Sequence, residues 1–371
     1  MRRATAACVC QLAVLAVWAP GAAALPTSPF PEFFGVSPAT QLEIAEIDRI
    51  GNSGAATIRS PFYWPSIEPD PPSESDAGPL PPLPGPGPES KRWQRTDELV
   101  RNAAEREIRV LPFVYGTPSW VASDPQRPPL DSEEARAAWQ DLLGDLVGRY
   151  GPRGNFWAEN PELPKIPITA WQIANEPNSA VFWSPSPSPA EYAELLQLSS
   201  AAIRSADPGA AIVLGGMFGT PARGIDAWDF LDELYRVPGI ADTFDAYALH
   251  PYAPNLKGIK AQIGLVRDVL RRFGDRKLPL LITEIGWPTD GPQGYNLVKT
   301  LEGQKRLLAK AFRLLLKERR RWNLERVIWY TWRDNDVQPN CAVCRYSGLF
   351  TSALEPKPAW RKFAQFAGGQ P

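Results

Sequence analysis

Histidine is all but absent. One residue, His250, serves a chain of 371. A hydrolase built around several imidazole-bound metal ions is therefore excluded, and no cluster of Asp and His stands in for them. Cysteine is scarce too, with four in all: Cys8, Cys10, Cys341 and Cys344. A zinc site at Cys341 and Cys344 would need two further ligands. In a cytosolic chain that spacing would suit redox chemistry or half a zinc site; in an exported chain it predicts a short-loop disulfide, the expectation here. Charge of one sign is missing as well. Lys and Arg number 40 against 41 Asp and Glu, and no basic tract marks a nucleic-acid partner. Outside the N-terminus, no apolar run approaches the ~20 residues a membrane span needs.

What is present begins at the N-terminus. Met1-Arg2-Arg3 precedes an apolar run from Ala6 to Ala19, a break at Pro20-Gly21, and then Ala22-Ala23-Ala24. That order predicts a signal peptide over 1–24, with an uncleaved anchor as the alternative. The product is expected to be secreted or extracytoplasmic, in a periplasm or cell envelope if the source has one. It would have no stable membrane insertion and act as a monomer.

Residues 25–371 suit one large domain. Strand-like runs lie at 33–37, 55–60, 108–115, 168–175, 211–217, 244–249, 280–284 and 327–332. Most are continuously apolar, as strands covered on both faces are. Between them apolar residues recur at three- and four-residue steps, as in Ala135, Trp139, Leu142, Leu146 and Tyr150. Asp131 with Glu134, and Ser188 before Pro189, mark helix starts. Eight strands alternating with helices predict an α/β fold, a single-domain (β/α)8 TIM barrel. A doubly wound sheet is the alternative, but Phe34-Gly35-Val36-Ser37-Pro38 lacks the glycine-rich turn expected after its first strand. A Pro-, Gly- and Ser-rich insertion over 65–90 follows the second strand. It is a lid or a solvated loop.

Two of the runs end in glutamate. One is Ile168-Thr-Ala-Trp-Gln-Ile-Ala-Asn175-Glu176-Pro177-Asn178; the other is Leu280-Leu-Ile-Thr283-Glu284-Ile-Gly286-Trp287-Pro288. Two carboxylates that flank one bond are what glycoside hydrolysis requires. The 108 residues between them equal three βα units, which places them on strands four and seven. The Asn-Glu-Pro and Thr-Glu-x-Gly-Trp motifs resemble the retaining glycoside hydrolases of clan A, the 4/7 superfamily. Family 39 is nearest by these motifs, and families 5 and 17 are relatives.

That resemblance implies Glu176 as acid/base, Glu284 as nucleophile, no metal and no cofactor, and carboxyl groups ~5–5.5 Å apart. It gives Asn175 the sugar 2-hydroxyl and sets Arg59 beside the nucleophile. His250 and Tyr252 would contact the nucleophile or the sugar, with Tyr252 favoured for the bond to Glu284. Trp332 becomes the floor under the reacting sugar. Trp120 and Trp287, with Trp64 and Trp183, would line further subsites. Asp334 and Asp336 form a competing acidic pair on one short segment, too close in sequence to flank a bond. The chain departs from family 5 habit at Tyr115-Gly116-Thr117-Pro118, where that family often has histidine. The implied function is a secreted retaining O-glycosidase on a β-linked oligo- or polysaccharide. The alternatives are a carbohydrate-binding protein on an inactive barrel, or a transglycosylase.

Overall fold

The computed structural model describes residues 33–71, 91–337 and 341–371. The expected signal peptide, and most of the Pro-rich insertion, lie outside these. The part of the insertion that is described is more regular than expected. Trp64–Ile67 forms one helical turn, α2, because Pro65 sits at an early helical position that its fixed φ suits.

Eight parallel strands close a barrel in sequence order: β1 Phe34–Ser37, β2 Thr57–Tyr63, β3 Arg109–Tyr115, β4 Ala170–Asn175, β5 Ala211–Phe218, β6 Tyr247–His250, β7 Leu280–Ile285 and β8 Leu324–Tyr330. The ring closes where Phe34 of β1 pairs with Val327 of β8. Helices α1 Ile44–Asn52, α3 Gln94–Ala104, α4 Glu133–Tyr150, α6 Pro189–Ala206, α7 Ala227–Tyr235, α8 Leu256–Arg272 and α9 Leu301–Glu318 follow successive strands. Short helices α5 Asn155–Glu159 and α10 Ala342–Tyr346 sit in connections, and α11 Pro358–Ala367 ends the chain.

Local chemistry sets the helix starts. Ser188 accepts a hydrogen bond from the Glu191 amide and Pro189 occupies the first turn, as expected. For α4 the cap is Ser132, which accepts from Ala135, one residue beyond the expected Asp131. Asp131 instead binds Arg127.

Two apolar layers result. The larger lies between sheet and helices, where Phe312 of α9 stacks on Phe34 at 4.6 Å and Trp329 packs on Trp287. A smaller cluster fills the barrel's interior: Leu111, Val213, Ala246, Ala248, Leu281 and Ile328. Each such large side chain, fully buried, contributes roughly 1.5–3 kcal/mol. The interior cluster plugs the barrel, and the polar side chains of the site gather above it, towards the strands' C-terminal ends.

Cys341 and Cys344 form a disulfide at the start of α10. Nearby, the buried Lys357 ammonium donates to Asp334, to the Thr289 hydroxyl and to the Tyr346 carbonyl. It thereby ties the segment after β7 to the segment after β8. Asp334 is spent in this pair, and Asp336 is exposed.

Candidate active site

The end of β4 is bent into an unusual shape. Ala174 and Glu176 both hold left-handed backbone, with φ of 66° and 44°. Such conformations cost non-glycine residues of order 1–3 kcal/mol each and persist where the surroundings enforce them. Here the Glu176 amide donates to the Gly216 carbonyl of β5, and the side chain is held over the barrel mouth. At the end of β7 the device differs. Ile282 pairs with Val327 but Ile285 pairs with Trp329, so β7 fits one extra residue against β8. A bulge of this kind re-aims side chains. Thr283 already shares the inward face of Leu281, and the bulge lets Glu284 face the centre as well.

Around these ends a hydrogen-bonded cluster forms. Arg59 of β2 is fully buried. It donates from Nη1 to Glu284 Oε1 at 2.7 Å, from Nη2 to Asn175 Oδ1 at 2.6 Å and from Nε to Gln172 Oε1 at 2.7 Å. The guanidinium lies 4.0 Å from the centre of the Phe113 ring. Tyr252 donates its hydroxyl to Glu284 Oε2 at 2.8 Å. His250 sets Nδ1 2.7 Å from Glu176 Oε1 and Nε2 3.0 Å from Thr283 Oγ1, with Glu284 Oε2 3.7 Å away.

The electrostatics separate the two carboxyls. Glu176 is pushed well above the usual carboxylate range by burial, then by the charge of Glu284, and Arg59 only partly offsets this. Burial also raises Glu284, but the charge of Arg59 and the hydrogen bonds from Tyr252 and Arg59 pull it back. Burial and the Arg59 charge hold His250 well below its ordinary value, so its ring is neutral. We assign Nδ1–H as donor to Glu176, with the Thr283 hydroxyl donating to Nε2. The pair therefore holds one carboxyl poised to keep a proton and one poised to lose it.

One oxygen each of Glu176 and Glu284, and a nitrogen of His250, lie within 4.8 Å of one another. Such a trio could suit a cation. Glu284, however, already receives a guanidinium and a hydroxyl, so its charge is committed.

The structure gathers Glu176, Glu284, Arg59, Asn175, His250 and Tyr252 at one place. It does not bring the tryptophans there. Trp332 is fully buried: its indole nitrogen donates to Glu46 of α1, and its ring packs against Phe350 and Trp360. β8 ends at Tyr330, and the chain then turns outward through Thr331, whose hydroxyl accepts from the Ala39 amide. Trp287 is likewise buried and donates to the Ala253 carbonyl. Trp120 is half-buried, with its nitrogen on the Glu68 carbonyl and its ring edge-on to Trp64. Trp64 and Trp183 donate to Glu68 and Glu191. With nitrogens satisfied inside the fold, Trp332, Trp287, Trp64 and Trp183 are core, while Trp120 stays partly exposed.

Tyrosine takes the place expected for tryptophan. Ile328 belongs to the barrel's interior cluster, and the strand's two-residue period puts Tyr330 on the same face one layer up. The charges of Glu284, Glu176 and Arg59 all act on its phenol, which burial pushes up strongly. Gln172, Thr283, Phe113 and Tyr330 were not anticipated. Their signal was available for the first two, as polar residues within otherwise apolar strands.

Gly216 on β5 explains how the histidine fits. A Cβ there would lie 2.0 Å from His250 Nε2. Gly216→Ala is expected to displace the ring and with it Glu176. About a hundredfold loss of kcat/KM should follow, the scale of a ~1 Å misplacement, with native circular dichroism. Wild-type turnover of the variant would show that the ring's position is unimportant.

Similarity to known proteins agrees with this geometry. No curated protein sequence matches the chain. By structure, the chain resembles a family 39 glycoside hydrolase from the gut symbiont Bacteroides cellulosilyticus WH2 at 20% identity, covering 91% of this chain and 64% of that one, with a TM-score of 0.63. It also resembles a monomeric β-xylosidase from Caulobacter crescentus CB15 at 15% identity, 92% and 69% coverage and a TM-score of 0.63. A third is the GH5_18 protein of Streptomyces cattleya in complex with Manβ1-4GlcNAc, at 16% identity, 91% and 80% coverage and a TM-score of 0.62. At these identities the likeness is one of fold, and the chain spans under two thirds of the family 39 structure. Family 39 is thus present among the structural neighbours, while the family whose sequence model matches, over residues 28–301, is Cellulase, glycosyl hydrolase family 5. With that match spanning most of a chain whose fourth and seventh strands end in the paired glutamates, the protein belongs to glycosyl hydrolase family 5.

Proposed function

We propose that this protein is a secreted retaining O-glycosidase that cleaves a β-linked oligo- or polysaccharide by double displacement. The observation that carries the reading is the pair Glu176 and Glu284. Their near oxygens lie within 4.8 Å, which supports retention. Inversion needs ~6.5–9.5 Å between the carboxyls to admit a water. Glu284, ionised beside Arg59, attacks the anomeric carbon while Glu176 gives its proton to the departing glycosidic oxygen. The bond to the leaving sugar breaks and an ester to Glu284 forms. Glu176, now a carboxylate, takes a proton from water as that water attacks the same carbon. The ester breaks, the sugar leaves with its original configuration, and both side chains return to their starting states. Asn175 spends its carbonyl oxygen on Arg59, so its amide N–H groups are left for a sugar hydroxyl. The leader-like N-terminus and the Cys341–Cys344 pair support export.

The test is a hydrolysis screen over β-glucans, mannans, xylans and aryl β-glycosides, with the anomeric form of the first product read by proton NMR. Release of the β-anomer from a β-linked substrate is expected. Prompt release of the α-anomer would exclude double displacement, and no turnover on any substrate would favour a binding protein.

A further inference from the structure

The even balance of charge over the whole chain hides an uneven distribution on the fold. On one side of the barrel, helices α4, α6 and α7 hold nine acidic residues and three basic ones. On the other, α8, α9 and α11 hold twelve basic residues and three acidic ones. These last three helices are neighbours, with α9 packed against both α8 and α11. Along α9, Arg306, Lys310, Arg313 and Lys317 recur at four- and three-residue steps, so they form one exposed stripe about 16 Å long. No acidic residue of α9 lies between Glu302 and Glu318. Beside the stripe, between α9 and α11, a hollow of about 400 Å³ is rimmed in part by Lys305, Arg361 and Lys362.

Two features set this flank apart from an ordinary solvated face. Like charges at such spacing repel along a helix, and the helix dipole favours cations only in the last turn. The dipole accounts for Lys317 but not for Arg306 and Lys310, in the first half of α9. Yet among the described residues Arg306, Lys310, Lys317 and Arg361 have no acidic partner to relieve them. In addition, apolar side chains stand exposed among the cations: Leu265 on α8 and Leu301 at the start of α9. That mixture fits the interface of a bilayer, where anionic headgroups meet the cations and the acyl boundary takes leucine. In the hollow, Arg361 is unpaired and Lys362 and Lys305 stand beside it, a setting that suits one phosphate headgroup. Nucleic acid fits less well. Of the rings on these helices only Phe366 is not buried, and it lies beneath the Arg313 guanidinium, so bases have no platform to stack on. The expected export signal also brings the chain to a bilayer.

We propose that the flank formed by α8, α9 and α11 docks the protein reversibly, side-on, to an anionic lipid bilayer, which leaves the mouth of the barrel open to solvent. The test is sedimentation of the full chain with vesicles of phosphatidylcholine alone and with vesicles that also contain phosphatidylglycerol, at low and high salt. Binding to the anionic vesicles should be at least about tenfold tighter, and high salt should remove the difference. Each cation near such a surface is worth about fivefold, so Arg306→Gln, Lys310→Gln and Lys317→Gln combined should weaken anionic binding about a hundredfold. Circular dichroism of this triple variant should stay native, since all three side chains are exposed. Asp141→Asn, on the acidic side, should change nothing. Equal binding to both vesicles, as the apolar N-terminal run alone would give, would overturn the proposal. So would anionic binding that the triple variant keeps in full. Duplex DNA or heparin bound more tightly than the vesicles would assign the flank to another polyanion instead. Self-association at low salt without vesicle binding, abolished in the triple variant, would assign it to the acidic side of a second copy.

Discussion

Glu284→Gln is expected to lower kcat by at least about 10⁴-fold, the scale seen when a catalytic nucleophile is removed. The amide cannot form the ester, and among the described residues the carboxyl beside it is Glu176, which is held by His250 and needed as the acid/base. Asp334, the nearest rival in the sequence, is locked to Lys357. The same substitution should keep the fold, since the isosteric amide oxygen can still accept from Arg59, but at lower thermal stability, because the buried guanidinium loses its counter-charge. Its companion, Glu176→Ala, should fail differently. Its loss of ~10²–10⁴ should be greatest on substrates with poor leaving groups, and added azide should restore turnover of an activated aryl glycoside as a β-glycosyl azide. Azide rescue of the Glu284 variant with that same product would reverse the assignment. Near-wild-type rates in either variant would sink it.

Arg59→Met should come next in size, at about 10²–10³-fold in kcat/KM. Removing one partner of a buried ion pair costs ~3–5 kcal/mol, largely through the charge left behind. In this case the charge is Glu284, and it can escape the penalty by taking a proton. The direction of the pH effect follows. The nucleophile works ionised, hence above its pKa, and the Arg59 charge and hydrogen bond lower that pKa. Without Arg59 it rises, so the acidic limb of the kcat/KM profile should move to higher pH. The alkaline limb belongs to Glu176, which works protonated, and it should move less. It should also drift upward, because Arg59 lowers Glu176 as well. An acidic limb that stays in place would mean Arg59 only holds Asn175 and Gln172. Circular dichroism and thermal unfolding of the variant separate misfolding from either outcome.

Much of this could be read from the chain. Continuous apolar runs gave all eight strands to within a few residues, and the two glutamates sat where those runs met loops. The tryptophans misled for a physical reason. An indole near a strand's end reads the same whether it faces a sugar or a helix, and the choice turns on where the strand stops. β8 stops at Tyr330, two residues before Trp332. The bulge in β7 is equally silent, because one extra residue leaves composition and pattern unchanged while reversing which side chains face the centre. Gln172 and Thr283 were visible as polar residues within apolar strands, but only the fold shows that they meet Arg59 and His250.

The closure of β1 on β8 carries a consequence for how the protein comes into being. Phe34 and Val327 are joined only after nearly the whole chain exists, and contacts so distant in sequence form slowly. Until β8 docks, β1 and β7 are open edges that invite pairing with other chains, and Glu284 sits on one of them. A fragment that stops short of β8 should therefore aggregate and be inactive. The emerging chain would need an escort while its two ends remain apart.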